Sequence, residues 1–355
     1  MRLSRFSLVL IAFTFAARLT ADEPLKPVLM QLDWVPNVQF AGIYMAKEKG
    51  FYREAGLDVT IRPVVKDQET VGTVLASPGF ALGCAESNVL MLAHAKGANI
   101  KALATMFQDS PMGWMSLKKT GINTIDDFAG KKIGIHPDGD RVLDLLMAHS
   151  KAKRSDATVV PSGYDPTTVL NGEVDAQQGY VIDEFVRLQL QSGGNATMIM
   201  AKDYGYLSYS QVFFAPARLT AERPNLVRDF LAASKRGWEY ALAHRDETVD
   251  VILKVAPTLD RAYQRASLDA VADLVSPHGQ TPMASMSVNK WVASENEFIQ
   301  YGILQKKTNV KDLLDFSFNP GNAPKWYNPA KRLSFWTRMW NHFPPAPNHR
   351  DYYFW

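Results

Sequence analysis

Residues 31–59, QLDWVPNVQFAGIYMAKEKGFYREAGLDV, decide the fold. The apolar run leading into Asp33 and Trp34 reads as a strand, and Pro36–Asn37 as the turn that ends it. Phe40, Ile43, Tyr44 and Lys47 then recur at helical spacing until Gly50, a second short helix ends at Gly56, and Leu57 opens a new strand. Strand, helix and strand in about thirty residues make a βαβ unit, which brings its two strands parallel. Asp33, Trp34 and Asn37 therefore sit at the carboxyl end of the first strand, where open α/β sheets hold their ligands.

The alternation continues in both directions. Further strands are expected over residues 80–86, 100–108 and 113–119, with helices between them. A second set follows, with strands at 131–136, 157–163, 174–180 and 196–201, and a strand at 209–220 returning towards the first set. The stretch after it is almost wholly helical. The expected class is α/β, as two doubly wound lobes with the second inserted into the first. The boundaries expected are a leader at 1–21, the first lobe at 22–116 and 213–318, the inserted lobe at 117–212, and a tail at 319–355. Residues 114–118 and 212–216 are expected to cross between the lobes as hinge strands, leaving a cleft between them.

Composition agrees with a globular two-lobed chain: 355 residues, 46% hydrophobic and 21% charged. Arg2 and Arg5 precede an apolar run, FSLVLIAFTFAA, and the stretch ends on Ala21, the pattern of a cleavable secretory leader. That run of about twelve apolar residues falls short of the roughly 20 that span a bilayer. A periplasmic protein is expected. The single Cys84 excludes an internal disulfide and a cysteine-rich metal site. Removing the leader's arginines balances acidic against basic side chains, so no nucleic-acid partner is expected. The tail from Lys325 carries five basic residues, one acid and ten aromatics; packing across its own lobes is expected first, with a membrane surface or a partner as alternatives.

The sequence holds no GxSxG, HExxH, GxxxxGK[ST] or GxGxxG, and no pair of its histidines has metal-ligand spacing. No catalytic group, metal or cofactor is expected. Binding finds better support. A lone tryptophan is ordinarily core, but Trp34 lies in a polar turn beside Asn37, and an aromatic face next to an amide suits a flat heterocycle. Glu86 and Ser87 follow the third strand, with Ser87 read as a helix cap, and Phe107 and Gln108 end the fourth. In the second lobe, Tyr180 ends a strand with Glu184 one turn later, and Tyr206 lies in the tyrosine cluster beside the return strand. The turn in IGIHPDGD could hold an anion, but Asp138 and Asp140 would repel one.

The stretches LDWVPN…GIYMAKEKGFYREAGLDV, ALGCAESNVLMLAHAKG, GKKIGI and NGEVDAQQGY…E resemble the thiamine-pyrimidine subgroup of solute-binding proteins of ABC transporters, over roughly residues 28–315. The resemblance implies the bilobed periplasmic-binding-protein type II fold. It implies a monomer that closes on a small heterocycle, an aminopyrimidine precursor of thiamine, and delivers it to a membrane permease. Riboflavin and sulfonate or taurine carriers belong to the wider family and remain alternatives. Trp34 and Asn37 match the family's ligand-contacting W-x-P-N, and Tyr180 and Glu184 its contacts from the second lobe. A related pyrimidine synthase needs a lysine and a histidine just after the third strand and a cysteine-rich run before the return strand. GCAESNV and YGYLSYSQVFF supply neither, which speaks against that enzyme.

Overall fold

The computed structural model describes residues 24–64, 68–277 and 283–318. The expected leader and the expected aromatic tail lie outside these residues.

Ten strands form two five-stranded sheets. The first contains β1 (Lys26–Gln31), β2 (Leu57–Arg62), β3 (Phe80–Ala85), β4 (Ile100–Phe107) and β10 (Ser210–Pro216), in the order β2-β1-β3-β10-β4. The second contains β5 (Met112–Leu117), β6 (Lys132–Ile135), β7 (Thr158–Pro161), β8 (Ala176–Tyr180) and β9 (Ala196–Met200), in the order β7-β6-β8-β5-β9. β1 pairs in parallel with β2 and β3, as the opening βαβ unit requires. β10 runs antiparallel to both β3 and β4, and β5 antiparallel to both β8 and β9. Both sheets are therefore parallel on one side and antiparallel where the chain passes between lobes.

The crossings fall one step from the expected residues. β5 lies wholly in the second sheet and β10 wholly in the first, so the chain changes lobe over residues 108–111 and again over 201–209. The return strand also stops at Pro216: residues expected to extend it form the helix Ala217–Glu222. Proline fixes φ and has no N–H for a ladder, which ends the strand there.

The first lobe is packed by two crossing helices, Ala41–Glu48 and Pro224–Ala243. They meet at Gly42 and Gly237, where a Cβ on Gly237 would come within 2.0 Å of the Gly42 carbonyl oxygen. Trp238 is fully buried over Gly42 and stands edge-on to Phe107 with ring centroids 6.0 Å apart. The helix Val288–Gln300 touches both lobes: Trp291 packs on Tyr209, Phe298 on Tyr206, and Glu297 accepts from His149 Nε2 at 3.0 Å. Both crossings are also tied at one carboxylate. Asp109 accepts from Lys202 at 3.1 Å and from Lys290 at 2.6 Å, and the two lysines hold its carboxyl below the usual range despite burial.

Candidate ligand-binding cleft

β1 ends at Gln31, and a backbone bond from Leu32 N to Arg62 O (2.8 Å) carries the chain one residue further beside β2. Asp33 and Trp34 then project between the lobes. Asn37 turns inward: its Oδ1 accepts from Gln39 N at 2.7 Å and caps the short turn Val38–Phe40. The amide expected to face a ligand thus fixes the loop that presents Trp34, the ordinary role of a buried N-cap.

Asp33, Trp34 and Gln39 form the first-lobe wall of a cleft of about 150 Å³. The second lobe supplies His136 and Asp138 from the loop after β6, Tyr164 from the loop after β7, and Tyr180, Asp183 and Glu184 from the end of β8. Every contributing loop follows a strand's carboxyl end, as the topology dictates. Part of the lining is aromatic. Trp34 and Tyr164 have ring centroids 5.6 Å apart, and His136 stands 4.2 Å from Tyr164. Trp34 is 37% exposed, an unusual degree for a tryptophan in a folded chain.

The rest of the lining is largely acidic. Asp33 accepts from Gln211 Nε2 at 3.1 Å and from the Cys84 thiol at 3.8 Å. Gln211 has φ of 52°, a left-handed conformation that costs a non-glycine residue about 1 kcal/mol and aims its amide at Asp33. Burial pushes the Asp33 carboxyl up to about 6. Glu184 accepts from Tyr180 N at 2.8 Å, and burial, then the neighbouring Asp183, pushes it up to about 7. Asp138 accepts from Gln178 Nε2 at 3.3 Å. Asp183 accepts from Tyr263 at 2.6 Å and from Arg187 at 2.8 Å. Burial lowers the His136 pKa and so favours the neutral ring.

At the cleft itself, hydrogen bonds from two tyrosines join the lobes. Tyr180 OH of the second lobe donates to Glu86 at 2.8 Å, and Tyr263 OH of the first donates to Asp183. Glu86 also accepts from Ser110 at 3.1 Å and Tyr206 at 3.4 Å, and burial raises its carboxyl to about 7.

Of the residues expected from sequence to touch a ligand, Trp34, Tyr180 and Glu184 line the cleft. Glu86 and Tyr206 lie behind Tyr180 in its hydrogen-bond chain. Ser87 is the first residue of the helix Ser87–Ala95 and not its cap; its hydroxyl meets Ser208 at 3.0 Å and accepts from Tyr209 N, pinning the return crossing. Phe107 is fully buried core. Gln108 anchors the outward crossing, donating to the Ser285 carbonyl at 3.2 Å. Sequence reasoning missed Gln39, His136, Asp138, Tyr164 and Asp183 as lining. The loop position after each strand was the available signal; it was applied to β1, β3, β4 and β8, while the turn after β6 was weighed only as an anion site that Asp138 and Asp140 would oppose.

Residues 37–248 match the profile of the family described as NMT1/THI5 like. The chain belongs to that family. This NMT1/THI5-like protein is 27% identical over 328 residues to the riboflavin-binding protein RibY of Chloroflexus aurantiacus, covering 87% of this chain and 91% of that one. It is 25% identical over 243 residues to a 4-amino-5-hydroxymethyl-2-methylpyrimidine phosphate synthase of Legionella pneumophila, covering 65% and 74%. It is 23% identical over 236 residues to the formylaminopyrimidine-binding protein of Halalkalibacterium halodurans, covering 65% and 71%. Among solved structures, the periplasmic aliphatic sulphonate binding protein SsuA of Escherichia coli superposes with a TM-score of 0.64 at 14% identity, covering 82% of this chain and 91% of that one. The NMT1/THI5-like protein thus has the bilobed periplasmic-binding-protein fold expected from its sequence, and its relatives include both binding proteins and enzymes.

Proposed function

We propose that this chain is the periplasmic solute-binding component of an ABC importer and that its solute is a small aromatic amine of the thiamine-pyrimidine type. The supporting observation is the make-up of the cleft: aromatic rings interleaved with carboxylates and, among the described residues lining it, no lysine or arginine. A sulfonate would meet Asp33, Asp138, Asp183 and Glu184, and the adjacent cation, Arg187, is already bonded to Asp183. An aminopyrimidine offers a flat face to Trp34 and Tyr164 and exocyclic N–H donors to the carboxylates. The volume of about 150 Å³ suits one ring, being below the roughly 300 Å³ at which drug-sized pockets begin. Closure joins Glu86 to Tyr180 and Asp183 to Tyr263, and a permease would accept the solute when those bonds part. The protein acts as a monomer without turnover, is exported by its leader, and has lobes divided at residues 108–111 and 201–209.

Titration calorimetry with 4-amino-5-hydroxymethyl-2-methylpyrimidine tests the reading. Binding at one site is expected, weakened about tenfold in Trp34→Ala through loss of stacking. Unchanged affinity in a folded variant removes Trp34 from the site. The extent of the match to the riboflavin-binding relative favours a flavin as the second reading, and a purified protein carrying yellow, fluorescent flavin would establish it. Conversion of a bound pyrimidine would establish the enzyme reading instead.

A further inference from the structure

The charge balance of the cleft narrows the solute further, on the reading just given. Asp33 is held by Gln211 and Cys84, and Asp138 by Gln178; all three partners are neutral. The nearest cation, Arg187, stands 3.9 Å from Glu184, but it donates to Asp183 at 2.8 Å and to the Tyr164 carbonyl at 3.2 Å. His136 lies beside these acids with its Nε2 buried and without a hydrogen-bond partner, although the residue lines the cleft. Its ring centroid stands 4.2 Å from that of Tyr164, so the imidazole belongs to the aromatic part of the wall. Three aromatic rings, those of Trp34, Tyr164 and Tyr180, complete the surroundings.

We propose that the solute enters this cleft as a cation, a single aromatic ring bearing a positive charge, with Asp33 of the first lobe and Asp138 of the second as its counter-charges. Carboxylates answer the charge directly, and the aromatic faces answer it through their quadrupoles. Because the two acids come from opposite lobes, a cation draws the lobes together where a neutral ring of the same outline leaves two like charges facing across the gap. No lysine or arginine is among the described lining residues, burial lowers the His136 pKa, and the adjacent Arg187 is engaged by Asp183. Burial also holds Asp33 at about 6 and Glu184 at about 7, so an entering cation expels protons from them. Affinity for a permanent cation therefore rises with pH across that range. Glu86, raised to about 7, shares this titration, while Cys84, whose thiol burial pushes well above its ordinary range, and Arg187, bonded to Asp183, are the other groups that face the site.

Two probes of one shape separate charge from shape: 1-methyl-4-aminopyridinium, a permanent cation, and 4-methylaniline, its neutral twin. Calorimetry on the whole protein near neutral pH is expected to show the cation bound at least about tenfold tighter, with proton release seen as a dependence of the heat on the buffer. Asp138→Asn, checked for folding by circular dichroism, is expected to cut the preference to about threefold or less. Probes bound within about twofold of each other overturn the proposal. If 4-amino-5-hydroxymethyl-2-methylpyrimidine binds while the cation has no advantage over its twin, the solute-binding reading stands and the cation falls. If none of the three compounds binds, the reading of the cleft as a site for small aromatic amines falls, and the cation with it.

Discussion

Glu86→Gln separates the energetics of the interlobe carboxyl from those of the other acids in the cleft. Burial pushes this carboxyl from 4.5 up to about 7, against the lowering pull of its bonds from Tyr180 and Ser110. The side chain is 8% exposed, so solvent does little to soften the effect. A displacement of that size corresponds to about 3 kcal/mol of preference for the protonated form. Since folding raises the group's hold on its proton, the contribution is fully present below about pH 4.5 and is lost as pH rises through about 7. Asp33 and Glu184 are raised by the same cause and share the direction, so a single pH series on the natural chain cannot isolate Glu86. Glutamine keeps an acceptor there and cannot ionise. Urea unfolding of both proteins near pH 5 and pH 8 should show the stability difference, natural chain minus variant, falling by about 2–3 kcal/mol between the two. A change below about 0.5 kcal/mol would mean that the folded carboxyl titrates normally, and the account of it as a buried interlobe acid would be refuted.

Two further perturbations test the scaffold. Asp109→Asn leaves Lys290 largely buried beside Lys202 without its counter-charge and should cost about 2 kcal/mol, or about 5 °C in melting temperature; adding Lys290→Met should recover part of the loss, and no recovery would uncouple the two residues. Gly237→Ala forces a methyl group against the Gly42 carbonyl and should destabilise by about 3 kcal/mol in thermal or urea unfolding, whereas a neutral result would show that the two helices can separate there without strain.

The sequence carried the architecture further than it carried the cleft, for local reasons. The first βαβ unit was legible because turn residues, helix spacing and glycine stops all lie within one short stretch. The lobe crossings were displaced because β5, MGWMSL, is buried on both faces: a strand of that kind shows no alternation and does not tell which sheet holds it. Trp34 was legible from its polar turn, while Tyr164 and His136 were not, because their meeting depends on how β6 and β7 lie side by side. Ser87 was read as a cap because serine before a helix usually is one; its partner Ser208 lies 121 residues away, beyond any local rule.

The position of β10 also sets an order of assembly. It lies between β3 and β4 although it is made roughly a hundred residues after them, so the first sheet has a gap until Ser210–Pro216 arrives. The inserted lobe is one uninterrupted stretch and has its whole sheet by Met200. A chain emerging from its amino terminus can therefore finish the second lobe first, while β3 and β4 wait with open edges. Truncation just before residue 210 leaves that lobe its five-stranded sheet and the first without the strand that joins β3 to β4, and the cleft's first wall, anchored through Gln211 to Asp33, is among the last parts to form.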